Sequence, residues 1–152
     1  MSWFSSFFSR SKSVTSSPEI FVNSLPYDKL TQFLSNNCCA PKSCFSNCAQ
    51  AVTNFDLAEM YVLCFVALPN GRRYGHAIVK LSGKYFDPTL QPQGISGLRY
   101  WIHSKYTKER VRQMARANFP DVKAVGGHIE VYPPALKSDG TVVYEEIFGP
   151  YF

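Results

Sequence analysis

No stretch of the chain approaches the ~20 consecutive apolar residues that a membrane-spanning helix needs. The start, "MSWFSSFFSRSKS", lacks an apolar run long enough for a secretory h-region and has no cleavage signature. With no signal to send it to an oxidising compartment, the expectation is a cytoplasmic protein with free thiols. The cysteine pattern agrees. There are five cysteines, an odd number that cannot all pair, and the adjacent Cys38 and Cys39 bridge to each other only with strain. Cys38, Cys39, Cys44 and Cys48 put four thiols in eleven residues. Yet C-C-x4-C-x3-C lacks the two separated C-x-x-C pairs usual for structural zinc. Neither a metal site nor a cofactor is expected, with zinc the rival reading of those thiols. No internal repeat is present. Acidic residues are absent before Glu19.

What is present suits one folded domain. The chain has 152 residues, 45% hydrophobic and 15% aromatic, enough to bury a core without disulfide staples. The formal net charge is +5, with Lys and Arg scattered except in "YTKERVRQMARANF", Tyr106 to Phe119. A balance this mild argues weakly for nucleic acid, and the basic helix has an ordinary explanation. Arg112 and Arg116, with Glu109, suit an exposed face, and Val111, Met114 and Ala115 suit a buried stripe. Nucleic acid is therefore not the expected partner.

Residues 1–18 read as a tail and 19–152 as a single domain. In the tail Trp3, Phe4, Phe7 and Phe8 fall on one helical face, followed by Arg10 and Lys12. The tail is either a flexible terminus or a short interfacial helix making weak membrane contact. "SLPYDKLTQFLSNN" predicts a first helix, with Ser24 near its cap and Pro26 in its first turn. After the "CCAPKS" connector, a second helix runs from about Cys44 to Asn54 with Ser43 as N-cap. Met60 to Leu68 is an apolar, β-rich run. Asn70–Gly71 is a turn, Tyr74 to Leu81 a second strand, Ser82–Gly83 a tight turn, and Lys84 to Asp87 a third strand. A helix over Thr107 to Asn118 follows, then two strands in "HIEVYPP" and "TVVYEEI" linked through Asp139–Gly140. The fold class is α+β, with N-terminal helices packed on an antiparallel β-sheet.

The chemistry concentrates in two places. Cys44, at the first turn of a helix, meets free backbone N–H groups and the positive dipole end, both of which favour a thiolate. Cys48, one turn deeper among Phe45, Ala49 and Val52, suits the core. Of the three histidines, His76 has an acid within reach. A two-residue turn at Ser82–Gly83 sets Leu81 against Lys84 and Ile78 against Asp87. His76 is then a diagonal neighbour of Asp87 on the same face, and Asp87 can hold its tautomer.

"GHAIVKLSGKYFDPTL", Gly75 to Leu90, resembles the histidine–aspartate segment of papain-like and transglutaminase-like cysteine hydrolases. "CFSNCAQAV" is similar to the Cys-aromatic-x-Asn-Ala helix start of small proteins of that type, many of them from phages, which also place a "YV" strand between the motifs, as Tyr61–Val62 stands here. The resemblance covers residues 43 to 90. It implies a papain-like or transglutaminase-like core, with Cys44 the nucleophile, His76 the base and Asp87 the orienting acid. Asn47 supports the helix start or donates to an oxyanion. The activity implied is acyl transfer on an amide or ester of a protein or peptide-like substrate, in a host-cell cytoplasm if the chain is phage-encoded. Protease, amidase, deamidase and transglutaminase chemistries share these residues. Cys48 stands where Ala is usual, and Ile78 where Trp often follows His-Ala. The alternative is a non-catalytic phage-type interaction protein that binds a host factor with the same fold.

Overall fold

The computed structural model describes residues 17–118, 124–125, 128–129 and 133–143. The tail motif of residues 1–16, residues 130–132 within "HIEVYPP", and all of "YEEIFGPYF" lie outside them. Ten short or medium strands and three α-helices are defined there: β1 (Glu19–Ile20), β2 (Val22–Asn23), α1 (Tyr27–Ser35), α2 (Cys44–Thr53), β3 (Met60–Ala67), β4 (Arg73–Leu81), β5 (Lys84–Phe86), β6 (Arg99–Thr107), α3 (Lys108–Asn118), β7 (Ala124–Val125), β8 (His128–Ile129), β9 (Ala135–Leu136) and β10 (Val142–Val143). The class is α+β, as expected. The principal sheet has the order β1-β6-β3-β4-β5-β2.

The central meander β3-β4-β5 follows from turn chemistry. Ser82 and Gly83 both take positive φ, 51° and 77°. These are the dihedrals of a two-residue hairpin whose twist matches that of the strands. The turn sets Leu81 opposite Lys84 and Val79 opposite Phe86, the expected register. β3 carries apolar residues on both faces because both are covered. Tyr61, Leu63 and Phe65 join the helices in one core cluster. Val62, Cys64 and Val66 join Ile78, Tyr100 and Ile102 in a second. Full burial of each such aliphatic side chain is worth roughly 1.5–3 kcal/mol.

Five strands went unrecognised in the sequence: β1, β2, β6, β7 and β9. "RYWIHSKYT" is β6, which pairs along all of β3 and bulges at Leu63/Cys64; its mixed pattern hides a strand whose two ends differ in exposure. β1 and β2, two residues each, are separated by Phe21 alone yet pair with opposite edges of the sheet, β6 and β5. The sheet therefore curls until it nearly closes. The β2–β5 pairing is parallel, so the sheet is mostly rather than wholly antiparallel. The paired chain begins before Glu19, since Ser17 is buried and the Ile102 N–H donates to the Pro18 carbonyl at 2.9 Å.

Other expectations need correction. α1 starts at Tyr27 with Pro26 as N-cap, because proline's fixed φ suits a helix entry and Ser24 lies two residues too early. The strand after the 137–140 turn is Val142–Val143, and it pairs with Ala135–Leu136 rather than with "HIEVYPP". There Gly140 N–H closes on the Lys137 carbonyl at 3.0 Å. Arg112 does not simply face solvent: its guanidinium donates to the Thr53 carbonyl at the end of α2, and Lys108 bridges to Asp56 nearby. Val111 is fully buried.

Gly75 shows how closely β9 crosses this sheet. A Cβ there would lie 1.6 Å from the Leu136 carbonyl oxygen, backbone that cannot swing aside. Gly75→Ala must push the β9–β10 hairpin off β4, one residue before His76. The expected result is a loss of about 1–3 kcal/mol or more, read as a lower urea midpoint, with disturbed packing at His76. An unchanged midpoint would show that β9 is free to move.

Candidate active site

β5 stops at Phe86, opposite Val79. Beyond that point β4 has no strand on its β5 side, and His76 lies in this stretch. The loop after β5 and the first turn of α2 close on the opening. His76 shares the face of Ile78 and stands opposite Cys64, while Ala77 and Val79 point to the helices. Its Nε2–H donates to Asp87 Oδ2 at 2.8 Å, and both residues are buried. The diagonal reach expected from the hairpin register is the contact observed.

With Nε2 committed to Asp87, Nδ1 is left for Cys44, whose charge acts on the imidazole. Cys44 is the first residue of α2, and Ser43 is its N-cap by position only. No side chain caps the helix, and the Ser43 hydroxyl turns back to the Pro41 carbonyl at 3.4 Å. Cys44 is partly exposed, whereas the other four cysteines are buried. Burial pushes the Cys38 thiol up to about 12 and Cys39 to about 11, and raises Cys48 and Cys64 well above the ordinary thiol value. Among the described residues no group of three or more His, Cys, Asp or Glu is placed to hold a metal ion.

Asp87 is held by four donors. Oδ2 accepts from His76 and, at 2.7 Å, from the buried Tyr100 hydroxyl. Oδ1 accepts the backbone N–H groups of Thr89 and Leu90 at 3.1 and 3.0 Å. Burial alone would raise its pKa; the His76 charge and these donors outweigh that and hold it below the ordinary carboxylate value. The complementary effect acts on His76. Burial would lower its pKa, but the facing Cys44 and Asp87 charges and their hydrogen bonds raise it to about 10. Asp-Pro-Thr is thus more than a turn: it fixes a carboxylate on the imidazole.

Asn47 is buried, and its amide makes internal bonds. Nδ2 donates to the Ala40 carbonyl and to Thr89 Oγ1, each at 2.9 Å, and Oδ1 accepts the Ala40 N–H at 3.2 Å. Both of its protons are engaged, so the geometry assigns it to tying the α2 helix to the Asp87 loop rather than to an oxyanion. Sequence reasoning did not single out Tyr100 or Thr89. Tyr100 lies in β6, unread as a strand, and only the closed sheet carries it to Asp87.

Tyr100→Phe removes one donor from Asp87. The lost hydrogen bond to a charged acceptor is expected to cost about 1.5–3 kcal/mol. Because Asp87 is depressed in the folded protein, its contribution is present above the unfolded value near 3.8 and lost as pH falls through the folded value. In Tyr100→Phe the folded value is less depressed, so the acid loss that Asp87 contributes begins at the same pH, is smaller, and levels off at a higher pH. Urea unfolding measured from pH 2 to pH 7 checks this; superimposable acid limbs would contradict it.

No family model matches the chain, and no curated protein or solved structure compared with it is similar enough to count as a match.

Proposed function

We propose that this protein is a cysteine-nucleophile acyl-transfer enzyme with a papain-like or transglutaminase-like core, acting on an amide or ester of a protein or peptide-like substrate. What carries the reading is a single observation: one buried imidazole bonded to the Asp87 carboxylate and within the electrostatic reach of a partly exposed cysteine at a helix start. In this mechanism the Cys44 thiolate attacks the carbonyl carbon, and the Cys44 N–H, at the positive end of α2, stabilises the oxyanion. His76 Nδ1–H gives its proton to the leaving amine or alcohol as the C–N or C–O bond breaks, leaving a Cys44 thioester. The neutral imidazole then takes a proton from water or an incoming amine as it attacks the thioester, which returns the thiol. Asp87 holds the Nε2–H throughout.

p-Nitrophenyl acetate tests the reading without the natural substrate. The expected result is a burst of p-nitrophenolate and an acetyl group located by mass spectrometry on Cys44 alone. Acetylation scattered over lysines, with Cys44 unmodified, would overturn it. The second reading, a non-catalytic interaction protein, draws on the exposure of Phe21 (81%) and Tyr27 (86%), single aromatics on the surface where a partner could seat.

A further inference from the structure

α2 begins without a side-chain cap. Its first turn, the one that carries Cys44, therefore has backbone N–H groups that no side chain accepts from, and such a turn frays if left alone. Asn47 is what holds it. The Asn47 backbone N–H donates to the Ser43 carbonyl at 2.8 Å, closing the first turn. Its side chain lies one turn from Cys44 on the same helical face and grips the Ala40 peptide at both polar atoms. The orientation of the amide is forced, because the Ala40 N–H can only donate and the Ala40 carbonyl can only accept. That carbonyl also takes the Ser43 N–H at 3.3 Å. The residues just before the nucleophile are thus folded onto the helix that follows them.

The second proton of the same amide reaches Thr89 Oγ1, forty-two positions away. Thr89 is engaged at each of its polar groups. Its N–H donates to Asp87 Oδ1, its hydroxyl oxygen accepts from Asn47, and its carbonyl accepts from Gln93 Nε2 at 2.7 Å. Thr89 and Asn47 are almost inaccessible, at 1% and 2% exposure. One buried hydroxyl therefore joins the turn of the acid to the turn of the nucleophile, while His76, on β4, is bonded to the other oxygen of the same carboxylate.

From this juxtaposition we infer that Thr89 is a positioning residue for acyl transfer: its hydroxyl, acting through Asn47, fixes the first turn of α2 against the Asp87 turn and so sets where Cys44 lies relative to His76. The inference rests on the acyl-transfer reading. A displacement on the order of 1 Å at a reacting group is worth about 10²-fold in rate, so loss of this one bond reaches the chemistry without removing any group that takes part in it.

The test is a set of three variants of the full chain. Thr89→Val keeps the methyl group and loses the hydroxyl, Thr89→Ser keeps the hydroxyl and loses the methyl, and Thr89→Ala loses both. Each is measured for the burst from p-nitrophenyl acetate and for the pH profile of iodoacetamide alkylation at Cys44. Thr89→Val is expected to lower the acylation rate constant about 10²-fold and to leave the half-saturating ester concentration within about twofold. It should also move the alkylation profile of Cys44 towards that of an unfolded cysteine peptide. Thr89→Ser is expected to stay within about threefold of the unmodified protein in both measurements. A Thr89→Val protein that acylates and alkylates like the unmodified one would overturn the positioning role. So would a Thr89→Ser protein as impaired as Thr89→Ala, since the methyl group would then be what matters. If Thr89→Val shows no cooperative urea transition, the comparison of Ser with Ala decides in its place: a fast Ser and a slow Ala support the role, and equal rates overturn it. An unmodified protein with neither a burst nor activated alkylation of Cys44 is a different failure, which overturns the acyl-transfer reading and this inference with it.

Discussion

Replacing Cys44 with alanine is expected to abolish acyl transfer, a loss of about 10⁴-fold or more, because no other thiol can take its place. Cys48 and Cys64 are buried with their thiols pushed up, and Cys38 and Cys39 are held near 12 and 11. The fold should survive. Cys44 is partly exposed, alanine is a good helix former, and the change leaves no unsatisfied group in the core. One physical signature should move with it. The Cys44 charge is the largest of the effects raising His76, so in Cys44→Ala the imidazole should titrate below about 10. Histidine NMR titration of the two chains reads this directly. An unmoved His76 would mean that Cys44 does not face it, whatever happens to activity.

Asp87→Asn should be nearly as damaging, for a different reason. Both Asp87 oxygens accept, each from two donors. An asparagine can keep its oxygen toward Thr89 and Leu90 only by presenting Nδ2–H to His76 and Tyr100. Nε2 must then accept, the ring proton moves to Nδ1, and the imidazole facing Cys44 can no longer take a proton. A wrong-tautomer loss of this kind is on the order of 10³–10⁴ in rate. The pH dependence has a definite sign. Asp87 raises His76, so removing its charge lowers His76, and the alkaline limb of the rate profile must shift to lower pH. Stability follows the same linkage. His76's folded value lies above its unfolded value near 6.5, so its contribution is complete below that pH and lost as pH rises through about 10. Asp87→Asn should therefore flatten the fall of stability between these values. A variant with the wild-type alkaline limb would separate Asp87 from the chemistry.

The parts of this protein legible from sequence are those set by short-range rules. Ser82–Gly83 dictates a hairpin, the hairpin dictates a register, and the register carries His76 to Asp87. The helix start at Cys44 and the inward turn of Cys48 follow equally locally. What stayed hidden depends on closure of the sheet. β1 and β2 are two residues each, too short to show a period, and they are strands only because β6 and β5 offer open edges. β6 itself bulges, which breaks its alternation. Tyr100 sits on that strand, so the fourth donor to Asp87 was invisible. Gly75 gave no signal either, since the reason for a glycine there is a carbonyl from Leu136, sixty-one positions downstream.

The most direct measurement is the rate of iodoacetamide alkylation at each cysteine of the native protein as a function of pH, mapped by mass spectrometry. A thiolate facing an imidazolium reacts under mildly acidic conditions, where ordinary thiols are silent. The account predicts that Cys44 alone labels rapidly near pH 6, and that the preference disappears in Asp87→Asn. Labelling of Cys44 no faster than that of an unfolded cysteine peptide would contradict it, and so would protection of Cys38, Cys39, Cys44 and Cys48 together until a chelator is added.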